Sequence, residues 1–143
     1  MPLAQRLNQR LWQIACGCVC IALLVATGLK SSGNYSVFFA RLEIYLGGDT
    51  VVHFVSALTC STLLMMAVSE RVYAVKFAGI RAIVLLLCLA FTVDEGLQAF
   101  SVYRQFSWGD LGFNYAGLLS ASVLVMFLRR PSTWDSAGGE NVH

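Results

Sequence analysis

Four apolar runs, at about 11–29, 50–68, 77–100 and 110–128, each approach the roughly 20 residues that cross the hydrocarbon core of a bilayer. In lipid every backbone N–H and C=O has to be satisfied within the segment, so runs of this kind form helices. Composition agrees: of 143 residues 57% are hydrophobic and 13% charged, with a mean hydropathy of +0.68, against a globular norm of roughly 25% charged. The expected fold is an all-α membrane protein of four transmembrane helices. One domain covers residues 1–130, and a polar, disordered tail covers 131–143. The net charge of +2 is small and scattered, which excludes a nucleic-acid-binding surface.

The first run follows Arg6 and Arg10 and closes on Lys30. It is too long for a signal peptide and lacks a small-x-small cleavage site, so it is expected to stay as a helix, with Trp12 as an interfacial anchor. Residues 31–48 begin and end in turn formers. Between them Val37, Phe38, Leu42, Tyr45 and Leu46 recur near helical spacing. That pattern suits a short interfacial helix or re-entrant segment, or an ordered connecting loop. Asp49 is the expected N-cap of the second span and Ser107 that of the last. Cys16, Cys18, Cys20, Cys60 and Cys88 all fall within apolar runs, which fits small packing residues better than disulfides or zinc ligands.

The positive-inside rule sets the orientation. Arg6, Arg10, Arg71, Lys76, Arg81, Arg129 and Arg130 lie on one side, and Lys30, Arg41 and Arg104 on the other, seven against three. Both termini are therefore expected in the cytoplasm. Asp49, His53, Asp94, Glu95, Arg104, Asp110 and Asn114 then fall toward the extracytoplasmic side. At 1.5 Å rise per residue, Asp94, Glu95, Asn114 and His53 lie about 6–9 Å below the outer boundary. Ionisable groups at that depth are costly unless paired or hydrated, so a shared polar layer marks a functional site or a tight network.

The spacing of these residues is regular. Asp49 and His53, Asp94 and Gln98, and Asp110 and Asn114 are each four apart, so each pair shares a helix face. Glu95, three from Gln98, joins the second face. Adjacent carboxylates below the interface cannot both carry charge cheaply unless His53 or Arg104 compensates. Glu95, Asp94 and His53 are the candidate acid–base residues. Arg104, Gln98, Asp110, Asn114 and Asp49 are the candidate substrate-binding residues, with Arg104 suited to phosphate or carboxylate. The same set could instead form a satisfied network that locks the helices together. Gly117 is expected to permit close helix approach.

His53, Asp94, Glu95 and Asp110 offer nitrogen and oxygen ligands, but no HExxH or comparable spacing is present, and neither metal nor cofactor is expected. A Gly-rich phosphate loop and a GxSxG elbow are also missing. The inner halves of the spans are almost wholly apolar, which argues against a proton-coupled transport path.

In order along the chain, Asp49-x-x-x-His53, Asp94-Glu95-x-x-Gln98, Arg104 and Ser107-x-x-Asp110-x-x-x-Asn114-x-x-Gly117 resemble the VanZ-like family of small bacterial membrane proteins. Two positions depart from the family pattern: Thr50 stands where a Lys is frequent, and Ala121 where a second Gly is. Loss of that Lys leaves open what balances Asp49. The resemblance implies a multi-pass protein of the bacterial inner membrane, a lipid-linked or anionic cell-envelope substrate, and a connection to resistance against the glycopeptide teicoplanin.

Overall fold

The computed structural model describes residues 3–69 and 77–129. Among them are five helices and no strand: α1 Leu3–Ser31, α2 Ser36–Tyr45, α3 Asp49–Ala67, α4 Phe77–Gln98 and α5 Trp108–Leu128. The tail and the loop carrying Arg71 and Lys76 lie outside the described residues.

Three helices are long and apolar enough to cross a membrane, within Arg6–Ser31, Asp49–Ala67 and Trp108–Leu128. They mark the chain as a membrane protein. The fourth long helix, α4, has 22 residues but carries Arg81, Asp94 and Glu95. At 29 residues α1 is longer than the expected span, because its first turns, with Arg6 and Arg10, continue the helix ahead of the apolar run.

Helices α3 and α5 form the central pair, with α1 against α3 and α4 against α5. The central pair runs parallel. Near mid-helix Gly117 of α5 faces Phe54 and Leu58 of α3. Toward one end Asp110 of α5 meets Asp49 and His53 of α3. At the other, the Arg129 guanidinium Nη2 donates to the carbonyls of Met65, Met66 and Val68, at 2.8–3.1 Å. Those carbonyls close α3, where backbone acceptors have no intrahelical donor. Arg129 therefore ties the ends of the two helices together.

The seam between α3 and α5 is a stripe of small residues. Ala57, Ser61 and Ala121 are fully buried. A Cβ on Gly117 would stand 2.5 Å from the Phe54 carbonyl oxygen and 2.9 Å from the Leu58 nitrogen. Only glycine allows this approach, as expected from the sequence. Larger apolar residues, Met65, Ile83, Leu87, Leu118 and Val125, fill the core toward the Arg129 end. Cys20 and Cys60 meet across α1 and α3 with their sulfurs 3.8 Å apart, a packing contact between free thiols.

The segment between α1 and α3 is helical over Ser36–Tyr45. Phe39 and Glu43 turn toward the bundle, while Val37, Phe38, Leu42 and Tyr45 are exposed. A correction applies at the start of α3. Gly48, at φ 110°, occupies the N-cap without a side-chain bond, and Asp49 is the first helical residue. The Asp49 carboxylate is drawn to Lys30 instead.

Candidate functional site

The end of the bundle opposite Arg129 holds a cavity of about 160 Å³. That is small beside typical organic-ligand sites of roughly 300–1,000 Å³. It has room for a phosphate- or carboxylate-sized group with some water. Every long helix contributes: Thr27 and Lys30 from α1, Asp49, His53 and Ser56 from α3, Asp94 from α4 and Asn114 from α5. Phe39 and Glu43 of α2 cover one side, and Arg104 enters from the α4–α5 connection.

Two helix faces converge here because α3 and α5 are parallel and in close contact. Asp49 and His53 continue upward the stripe that packs as Ala57 and Ser61. Asp110 and Asn114 do the same above Gly117 and Ala121. The seam that joins the helices thus ends in four polar side chains at one level. His53 Nε2 lies 3.7 Å from Asp49 Oδ1. Ligand atoms, one each from Asp49, His53 and Asp110, fall within 4.8 Å of one another.

Lys30 supplies a cation to Asp49. Its Nζ pairs with Glu43 Oε1 and lies 3.1 Å from Asp49 Oδ1. Sequence reasoning missed Lys30 and Glu43 as members of the site. A lysine closing an apolar run is ordinarily a solvated flank, and Glu43 lies outside the spans. Only the fold of residues 31–48 back over the bundle reveals the pairing.

The adjacent carboxylates of α4 part company. Asp94 lines the cavity. Glu95 is fully buried beside it, and both its oxygens are engaged. Oε2 accepts from Gln98 Nε2 at 3.0 Å and Oε1 accepts from the Ser107 backbone N–H at 2.9 Å. Gln98 also reaches Asp94 Oδ2 at 3.5 Å. Ser107 in turn caps α5, its hydroxyl accepting from the Asp110 N–H at 3.2 Å, as expected. Glu95 therefore anchors the connection that carries Arg104, and Gln98 supports Glu95 from below. Neither of the two lines the cavity.

Arg104 is 9% exposed, and its Nη1 is buried without an acceptor among the described residues. No carboxylate among the described residues pairs with it. Asn114 is 4% exposed and also faces the cavity, and no described residue hydrogen-bonds its amide. Buried polar groups are nearly always satisfied, by protein, water or ligand. Two such side chains turned toward one cavity describe a recognition surface.

The structure thus gathers Asp49, His53, Asp94, Arg104 and Asn114 at one cavity, with Asp110 beside Asp49 and His53, and Glu95 and Gln98 behind it. Comparison with protein-family models, curated proteins and solved structures finds no match to this chain.

Proposed function

We propose that the cavity binds the anionic group of a lipid-linked cell-envelope substrate at the extracytoplasmic face of a four-span bundle. The observation that carries this reading is Arg104, whose buried Nη1 has no acceptor among the described residues, at the wall of a cavity that also holds carboxylates and a histidine. A guanidinium presents a fork of donors matched to phosphate or carboxylate oxygens. The cavity accepts a head group and not an acyl chain. The chain would remain in the lipid, against the exposed apolar faces of α2 and α4. If the site performs chemistry, Asp94 and His53 are the groups placed for proton transfer, and Glu95 positions the loop.

The four-span arrangement places α4 across the membrane, with Arg81 toward the cytoplasmic boundary and Asp94 in the outer leaflet. Both termini are then cytoplasmic, in keeping with the positive-inside count. The likeness of the motif set to the VanZ-like family supports a bacterial inner-membrane location and a role in teicoplanin resistance.

The test is binding of a short-chain alkyl phosphate to the purified chain in detergent. Arg104→Ala should weaken it at least tenfold, while Arg104→Lys retains part of it. Equal binding by Arg104→Ala removes the reading. In cells, expression should raise tolerance to teicoplanin, and Arg104→Ala at matched membrane levels should lose that effect.

A second reading follows from Glu95. Its complete burial and saturated hydrogen bonding are what a non-catalytic accessory protein would need to lock its helices together. In that case Arg104→Ala would change stability and teicoplanin tolerance together and leave alkyl phosphate binding undetectable in both proteins.

A further inference from the structure

We infer that Asp49, His53 and Asp110 hold a divalent transition-metal ion, with Asn114 facing the same space, and that the ion shares the bound anion with Arg104. The inference rests on the anion-site reading only for what the ion does; the ion itself depends on its three ligands.

The geometry is that of two i, i+4 pairs brought level by parallel helices. Ligand atoms about 2.1 Å from a tetrahedral ion stand about 3.4 Å apart. Asp49 Oδ1 and His53 Nε2 are already at 3.7 Å, and the whole set lies within 4.8 Å. Small side-chain rotations close the remaining gap. One imidazole with two carboxylates suits zinc or manganese better than calcium or a thiophilic ion. Three protein ligands leave a position open toward the cavity, as in catalytic sites rather than closed structural ones. Lys30, on Asp49 Oδ1, is the kind of outer partner that orients a ligating carboxylate.

A second, independent observation is the pair of buried, unpartnered polar groups. Asn114 and Arg104 both line this space; Asn114 is 4% exposed with no side-chain hydrogen bond among the described residues, and Arg104 Nη1 is buried without an acceptor among them. Around the cavity Lys30 and Arg104 face Glu43, Asp49, Asp94 and Asp110, with the Glu95 carboxylate buried behind, two cations against five carboxylates. The N-termini of α3 and α5 add about half a positive charge each. About two negative charges are left over, which is costly at this depth. A divalent ion cancels that excess, so an anion no longer enters a negative field. Ion and anion should therefore bind cooperatively, each raising the affinity for the other.

The ion would polarise the oxygens of the bound anion. His53 then serves as a ligand, leaving Asp94 as the acid–base residue.

The experiment is a zinc titration of the full chain, purified in detergent and stripped with chelator, read by bound ion per chain and by thermal stability. One ion per chain is expected, with a rise in Tm of several degrees. His53→Ala and Asp110→Asn should each weaken zinc at least tenfold, and Arg104→Ala should leave zinc affinity within about threefold. Zinc should also strengthen alkyl phosphate binding in the wild type. If zinc neither binds nor shifts the melting of the wild type, the inference is overturned, and this arm needs no variant to fold. Zinc binding equal in wild type and His53→Ala overturns it as well. Alkyl phosphate bound through Arg104 without zinc would retain the anion site and reject the ion. Zinc bound with no alkyl phosphate would do the reverse.

Discussion

Glu95 and Asp94 are neighbours in the chain with different work to do, and substitution should separate them. Glu95 accepts two hydrogen bonds in complete burial. A Gln there can offer its one oxygen to Gln98 or to the Ser107 N–H, and the other donor then meets an NH₂ group. Leaving a buried donor unpaired costs about 1–3 kcal/mol. Glu95→Gln should therefore lower Tm, whereas Asp94→Asn, at the cavity wall, should melt like the wild type. Thermal unfolding in detergent decides this; a stable Glu95→Gln would return Glu95 to the list of acid–base residues. Gly117→Ala is the sharper stability test. The added Cβ meets backbone atoms of α3, which cannot turn aside as a side chain would. Overpacking of this kind costs about 1–3 kcal/mol, and an unchanged melting curve would show that the two backbones are not in contact there.

At the scale of elements, α2 is held mainly by charge. None of its residues is buried, and Lys30 links Glu43 on α2 to Asp49 on α3. Replacing Lys30 by Met should speed amide exchange across 36–45 while α3 and α5 keep their protection. Equal exchange in both proteins would mean that Phe39 alone seats the helix. At the far end Arg129 serves three carbonyls that close α3. Arg129→Ala should destabilise by about 1–3 kcal/mol. Arg129→Lys should recover only part, since one ammonium cannot reproduce the planar fork. Loss of stability confined to that end would appear as faster exchange at 62–67.

For the whole molecule the proposed orientation makes a separate claim. Tyr103 is exposed on the connection that carries Arg104. Tyr103→Cys, in a background with Cys18→Ser, should react with a membrane-impermeant maleimide applied to intact spheroplasts. Reaction only after the membrane is opened would reverse the topology and place the cavity in the cytoplasm. The same orientation puts Lys30, Glu43 and the cavity mouth at the outer surface, where an envelope substrate would present its head group.

Much of this architecture was legible from residue order. Long apolar runs specify helices in lipid, because the backbone has no other way to satisfy its polar groups. Spacing of four put Asp49 with His53 and Asp110 with Asn114 on single faces, and Ser107 and Gly117 announced a cap and a close approach. These are local properties, set by 3.6 residues per turn and by side-chain size. What tertiary structure decided is which faces meet, and at what level. Parallel packing of α3 and α5 through Gly117 brought two separate pairs into one cluster. The return of residues 31–48 delivered Lys30 and Glu43 to Asp49. The α4–α5 connection, pinned by Glu95, sank Arg104 into the cavity. None of these pairings has a sequence period, because each depends on distances between helices rather than along one.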